Sequence, residues 1–260
     1  MLGKFLKNNV YFAMQPYFQR LEMIIGSPGM EILGKSHAIV VGLGGVGSWA
    51  AEALVRSGIG SISLVDSDQV NESNINRQVQ ATIANLGRAK TKALEERLLG
   101  INPLCKIKSF PVVFSAENSN IFEINKADYI LDAIDVLKHK LDLIEISCNK
   151  NIKGKFYSSM GMAQKLDPTK IRTVDIWETK GCPLARLVRQ GLKKRNFTGN
   201  FTAVYSTEKL PRINAAYEED NKKGWDSGKK VINGSSVTVT AAAGMALASL
   251  VLNDIYRSNV

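Results

Sequence analysis

Three groups of residues are spaced for chemistry on a phosphorylated ligand: Gly42-Leu43-Gly44-Gly45-Val46-Gly47, the acid Asp66, and Asn74-Ile75-Asn76-Arg77-Gln78. Gly42 permits a tight turn, Gly44 lets backbone approach a phosphate, and Gly47 lets a helix pack on a strand; Gly45 completes the run. The N-terminus of the following helix offers N–H groups to an anion. Asp66 is spaced to hold ribose hydroxyls. A nicotinamide domain needs little more. Here the loop runs on through Asp68 to two amides, Asn74 and Gln78, and a guanidinium, Arg77. Arg77 suits a bidentate clamp on a triphosphate and the charge that builds on an attacked phosphorus. That argues for ATP chemistry over hydride transfer. Lys90, in Gly87-Arg88-Ala89-Lys90, is either a point charge for phosphates or a solvated helix residue. Asp135 closes Leu131-Asp132-Ala133-Ile134-Asp135 and is placed to hold Mg²⁺ through water; Asp132 reads as a cap or packing residue.

These residues need a β-α-β frame to meet. His37–Gly42 is continuously apolar, as a strand of a buried parallel sheet must be. A helix is expected over 47–57, with Trp49, Ala50, Ala53 and Leu54 inward, and a strand over 62–66. A charged helix over 88–99 is stopped by Gly100 and Pro103; strands follow over 106–114 and 129–134, a helix over 138–150 and a strand over 156–159. The alternation predicts an α/β fold, a doubly wound, mostly parallel Rossmann-like sheet with ligands at the strands' carboxyl ends.

Beyond Asp167-Pro168 the pattern changes to an antiparallel C-terminal extension: a strand over 171–176, a helix over 183–195 and a strand over 202–206. The expected division is an ATP-binding core with an N-terminal helical arm over 1–165 and a substrate-binding and dimerisation extension over 166–260. Tyr217–Gly234 is polar and aperiodic, hence a mobile loop. Val231–Asn253 carries no charge, yet polar residues and the small residues Ala241–Gly244 dilute it. A buried or subunit-interface helix is expected there rather than an integral membrane span, with peripheral membrane attachment left open.

The 260 residues carry 34 Lys+Arg against 24 Asp+Glu, a formal net charge of +10, which suits a polyanionic partner or mere solubility. Cys105, Cys148 and Cys182 form no Cys-x-x-Cys pair, which argues against a disulfide framework or structural zinc and for a reducing, cytoplasmic setting. The N-terminal residues have no signal-peptide pattern, so none is expected. Along the helix at 183–195, Arg186, Arg189 and Lys193 share one face, with Leu184, Leu187, Val188 and Leu192 mostly opposite. That face is either a contact for nucleic-acid phosphates or an ordinary amphipathic surface.

In order and spacing, the glycine run, Asp66, Asn74–Gln78, Lys90 and Asp135 resemble the ubiquitin-activating-enzyme-like superfamily, which adenylates carboxylates with ATP. The resemblance implies Asp66 on the ribose, Asn74, Arg77 and Lys90 on the phosphates and Asp135 on Mg²⁺. It also implies that Arg20 reaches into the neighbouring subunit's site, making a homodimer obligatory. Finer features, Gly44–Trp49, Asp167-Pro168-Thr169, Pro183-Leu184-Ala185 and Tyr205-Ser206-Thr207-Glu208, are similar to the tRNA threonylcarbamoyladenosine dehydratase branch. The activity implied is ATP-dependent closure of the threonylcarbamoyl group of a tRNA adenosine into a ring. Some relatives carry a cysteine where this chain has Ala203, so no thiol role transfers to that position, and a sulfur-transfer partner protein is left open. Cys182 reads as a loop cysteine or, preceding Pro183 at a helix start, as a substitute thiol whose pKa the helix dipole would lower. The alternatives are adenylation of the C-terminus of a ubiquitin-like or sulfur-carrier protein, an NAD(P) oxidoreductase, and a non-catalytic nucleotide-binding scaffold.

Overall fold

The computed structural model describes residues 15–210 and 233–259. Seven strands form one sheet: β1 (His37–Val41), β2 (Ser61–Val65), β3 (Lys106–Phe110), β4 (Tyr129–Asp132), β5 (Lys155–Ser159), β6 (Ile171–Asp175) and β7 (Thr202–Ser206). Their order is β3-β2-β1-β4-β5-β7-β6. All neighbours are parallel except β6 and β7. Among the described residues, six α-helices flank the sheet: α1 (Gln19–Lys35), α2 (Gly47–Ser57), α3 (Lys90–Leu99), α4 (Leu137–Ser147), α5 (Pro183–Lys194) and α6 (Val237–Asn259).

Successive strand residues point to opposite faces, and both faces are covered. Ala38, Val40, Ile62 and Leu64 join a core with α1, α2, α3 and α6, while Ile39, Val41, Ile130 and Phe156 join a second core with α4 and α5. Chain direction along the sheet reverses at β1, which sits between β2 and β4. In such sheets the crevice outside the carboxyl ends at that switch is where ligands lie. Val41 is in register with both Val65 and Asp132, so the three central strands end level.

Two segments depart from regular helix or strand. Gly26 (φ +71°) breaks α1 into two limbs, so that Phe18 and Met30 both lie against Gly58, which ends α2 in a left-handed turn. The third strand is shorter than expected: β3 stops at Phe110, and Phe114 leaves the ladder to pack on Phe122 in the second core.

The apolar C-terminal stretch is α6, laid across α2. A Cβ on Gly244 would meet the Val46 carbonyl at 2.5 Å and Trp49 Cβ at 2.8 Å, so the close packing expected of its small residues is present. By length and composition α6 is apolar enough to cross a membrane, but Val239, Ala243, Leu247 and Val251 on one side are fully buried in the core. The expected mobile loop at Tyr217–Gly234 lies outside the described residues apart from Asn233 and Gly234.

Candidate active site

The glycine run turns from β1 into α2 under close constraint. Gly42 has φ +89°, and a Cβ there would sit 2.7 Å from the Ala133 carbonyl oxygen; at Gly47 it would sit 1.8 Å from the Gly42 carbonyl. The turn and the helix–strand approach thus both require glycine. Gly45 is covered by Thr240 of α6 and the Arg77 stem, whereas no described atom lies within 4 Å of a Cβ position on Gly44. Four side chains hold the loop. The Leu43 N–H donates to Asp66 Oδ2 (2.6 Å), and Gln80 Nε2 donates to the Leu43 carbonyl (2.9 Å). Ser48 Oγ donates to the Gly44 carbonyl (2.7 Å), and Trp49 Nε1 ties α2 to the Arg77 carbonyl (2.9 Å).

Asp66 and Lys90 meet across this loop. Asp66 Oδ1 accepts from the Asp68 N–H (2.8 Å), and Lys90 Nζ lies 2.7 Å from Asp68 Oδ2 and 4.0 Å from Asp66 Oδ1. Burial pushes the Asp66 carboxyl above its ordinary value, partly offset by the Lys90 charge and the two backbone N–H bonds. Lys90 is 5% exposed, so it is no solvated helix residue. The helix it opens is also shorter than expected, beginning at Lys90 itself.

Asn74 is buried and caps its own turn by accepting from the Asn71 N–H (3.2 Å). Arg77 Nη1 donates to the Ser73 carbonyl (2.8 Å) and to Asn76 Oδ1 (2.9 Å). Asn76 in turn donates to the Ser235 carbonyl (2.8 Å), anchoring the approach to α6 beside the loop. Gln78 is buried, and its Oε1 has no hydrogen-bond partner among the described residues. Asp135 stands exposed on the β4–α4 turn, two residues beyond the Ala133 carbonyl that touches Gly42.

The glycines, Asp66, Asp68, Asn74, Arg77, Gln78, Lys90 and Asp135 therefore gather at the switch point. Arg20 does not join them. It is exposed on the first limb of α1, whose preceding Phe18 packs on Gly58 at the opposite end of the sheet. The basic helix lies on the other face. Arg186 and Lys193 are exposed, but Arg189 is turned onto Thr179, donating to its carbonyl (2.9 Å) and its hydroxyl. The buried side of α5 is Ala185, Val188 and Leu192; Leu187 is exposed. Cys182 is buried at the start of α5 against Gly161, and Ala203 is buried within β7. Burial pushes the Cys105 and Cys148 thiols up to about 12.

The residue pattern gives little sign of Gln80, Ser48 or a fully buried Lys140 that pairs with Asp132 at 2.7 Å. Only the polar spacing Arg77-Gln78-Val79-Gln80 hinted at the first.

A ThiF family profile matches residues 18–255. The chain belongs to the ThiF family. Within this family it is similar to the tRNA threonylcarbamoyladenosine dehydratase of Bacillus subtilis (strain 168), at 34% identity over 92% of this chain and 94% of the relative. The Escherichia coli (strain K12) protein of the same name is 36% identical over 76% of each chain. The crystal structure of the E. coli tRNA N6-threonylcarbamoyladenosine dehydratase in complex with ATP matches with a TM-score of 0.80 and 31% identity, covering 93% of this chain and 94% of that one. The doubly wound sheet with its antiparallel end is thus a ThiF-family fold.

Proposed function

We propose that this chain binds ATP between the glycine loop and the β4–α4 turn and uses it to cyclise threonylcarbamoyladenosine beside a tRNA anticodon. A carboxylate oxygen of the threonylcarbamoyl group attacks the α-phosphorus, and pyrophosphate leaves. A nucleophile on the same substituent then attacks the activated carbonyl, and AMP leaves with the carboxylate oxygen as the ring closes. The nucleoside loses one water. The single observation that carries this reading is the convergence of an open glycine loop, the Asp66–Lys90–Asp68 cluster and a braced Arg77 at the switch point, in a chain similar along most of its length to dehydratases of this name.

On this reading Asp66 holds the ribose, and Asn74, Arg77, Gln78 and Lys90 face the phosphates. Arg77 and Lys90 offset charge that grows on the attacked phosphorus. No enzyme nucleophile is needed, because the ring-closing group is already held beside the carbonyl by the substrate. Mg²⁺ fits Asp135: magnesium commonly takes one or two carboxylates, completing its shell with phosphate oxygens and water. Among the described residues no cluster of three or more His, Cys, Asp or Glu forms a separate cage. When bound, the ion would neutralise phosphate charge.

The reading extends to a homodimer in which Arg20 serves the neighbouring copy's site. Its support is the exposure of Arg20 away from its own cleft and of Met23 (84%) and Ile24 (68%) on the same limb. Arg186 and Lys193 are assigned to tRNA phosphates. The three free cysteines support reading the setting as cytoplasmic, and Ala203, where some relatives carry a thiol, lends no support to a sulfur-transfer partner. Adenylation of a ubiquitin-like or sulfur-carrier protein is not favoured.

The test is to incubate the protein with ATP, Mg²⁺ and tRNA bearing threonylcarbamoyladenosine, then digest the tRNA and weigh the nucleosides. Loss of one water from that nucleoside, with AMP and pyrophosphate released, is the expected result. An unchanged nucleoside mass would refute the assignment.

A further inference from the structure

Lys140 and Asp132 are each 0% exposed. An ammonium leaves water at high cost unless a carboxylate and further hydrogen bonds replace its hydration. Both are present. Nζ lies 2.7 Å from Asp132 Oδ2 and donates to the Ile134 carbonyl at 3.0 Å. The Ser158 hydroxyl donates to the same Oδ2 at 2.6 Å, and the Ile134 N–H donates to Oδ1 at 2.9 Å.

The three side chains come from α4, β4 and β5: Lys140 and Asp132 hold one residue, Ile134, through its carbonyl and its N–H, and Ser158 holds Asp132. Its neighbour Ala133 is held too. The Ala133 N–H donates to the Val41 carbonyl (2.8 Å), and its own carbonyl rests against Gly42. Next comes Asp135, and beyond it the Val136 carbonyl accepts from the Lys140 N–H (3.0 Å). Asp135 is thus an exposed residue whose backbone is fixed on both sides. Apolar side chains would fill this space equally well; they would not grip a peptide from above and below.

We infer that Lys140 is a positioning residue, which acts through Asp132 and Ile134 to set the Asp135 carboxylate against the divalent cation that accompanies the nucleotide. This rests on the ATP reading above. Residues that orient a metal-binding group from behind commonly alter metal affinity when replaced, although they touch neither metal nor substrate.

The experiment is calorimetric titration of ATP into the full chain, in Mg²⁺ and in EDTA, with no tRNA present. In the unaltered protein Mg²⁺ should tighten ATP binding. Lys140→Gln should cut that tightening by about tenfold and leave the affinity in EDTA alone. Asp135→Asn should abolish the tightening, and adding Lys140→Gln to it should cost nothing more, because both act through one carboxylate. Ser158→Ala keeps the ion pair, removes one hydrogen bond to Asp132, and should cut the tightening by about threefold; it decides the matter if Lys140→Gln does not fold. Unaltered Mg²⁺ tightening in these variants, an equal loss in EDTA, or losses that add to that of Asp135→Asn would overturn the inference while the ATP reading stands. If the unaltered chain binds no ATP, the ATP reading fails and takes this inference with it.

Discussion

The carboxyl ends of β1 and β4 and the outer face of α5 both carry cations, in opposite physical states. At the glycine loop Lys90 is buried against Asp68 and Asp66, and Arg77 is braced by the Ser73 carbonyl and Asn76. On α5, Arg186 and Lys193 stand in solvent. Charge shielded from water acts strongly and tolerates little displacement. Solvated charge acts weakly, within a Debye length of about 8 Å at physiological salt. A reacting phosphate chain needs the first kind of site; a large polyanion needs only to be biased toward the second. Arg189 separates the two within one helix, since its guanidinium is spent on Thr179.

The sharpest way to break the contrast is at Arg77. Arg77→Ala should lower kcat by about 10³-fold, read as AMP release, with the melting transition little moved. A variant within tenfold of the parent would mean that the braced cation is dispensable.

Next in size is the strut beneath the cleft. Glu52 of α2 accepts from Arg97 of α3 (2.5 Å) and from Arg56 (2.9 Å), joining the helices that begin at the glycine loop and at Lys90. Burial pushes the Glu52 carboxyl up, but the hydrogen bonds and charges of Arg97 and Arg56 outweigh it and hold the carboxyl below its ordinary value. A carboxyl held low in the folded state stabilises the fold above its unfolded value and loses that contribution as pH falls through the folded value. Glu52→Gln should therefore cost about 2 kcal/mol near neutral pH, and the gap in urea midpoints should close in acid. A gap independent of pH would show that the strut is not electrostatic.

On α5, Arg186→Glu with Lys193→Glu should raise the tRNA KM about tenfold and flatten its salt dependence by about one logarithmic unit per lost phosphate contact. The ATP KM should not change. Equal effects on both KM values would merge the two regions. Smallest is Arg189→Ala, expected to cost about 1 kcal/mol of stability in thermal melts and to leave the tRNA KM alone. A tRNA effect matching that of Arg186 would return Arg189 to the basic face.

What could be read from the residues follows the same division. The β-α-β frame was legible because strands buried on both faces read as unbroken apolar runs, and because glycine is required wherever one backbone touches another, as at Gly42 and Gly47. Strand and helix ends were less so: β3 stops four residues early because Phe114 finds Phe122 rather than a ladder partner. Lys90 was undecidable from its helix, since its burial is set by Asp66 and Asp68, more than twenty residues away. Lys140 was invisible for the same reason, its partners lying on β4 and β5. Gln80 looks like any polar residue until the Leu43 carbonyl is seen above it. Periodicity records which side of an element is buried, not which distant polar group waits there.

On the proposed function, a carboxylate on tRNA becomes an acyl-AMP in the cleft at Gly42–Gly47. The most direct measurement uses tRNA whose threonylcarbamoyl carboxylate carries oxygen-18, with mass analysis of the released nucleotide. One labelled oxygen in AMP is expected. Label in inorganic phosphate with release of ADP, or no label in any nucleotide, would contradict it.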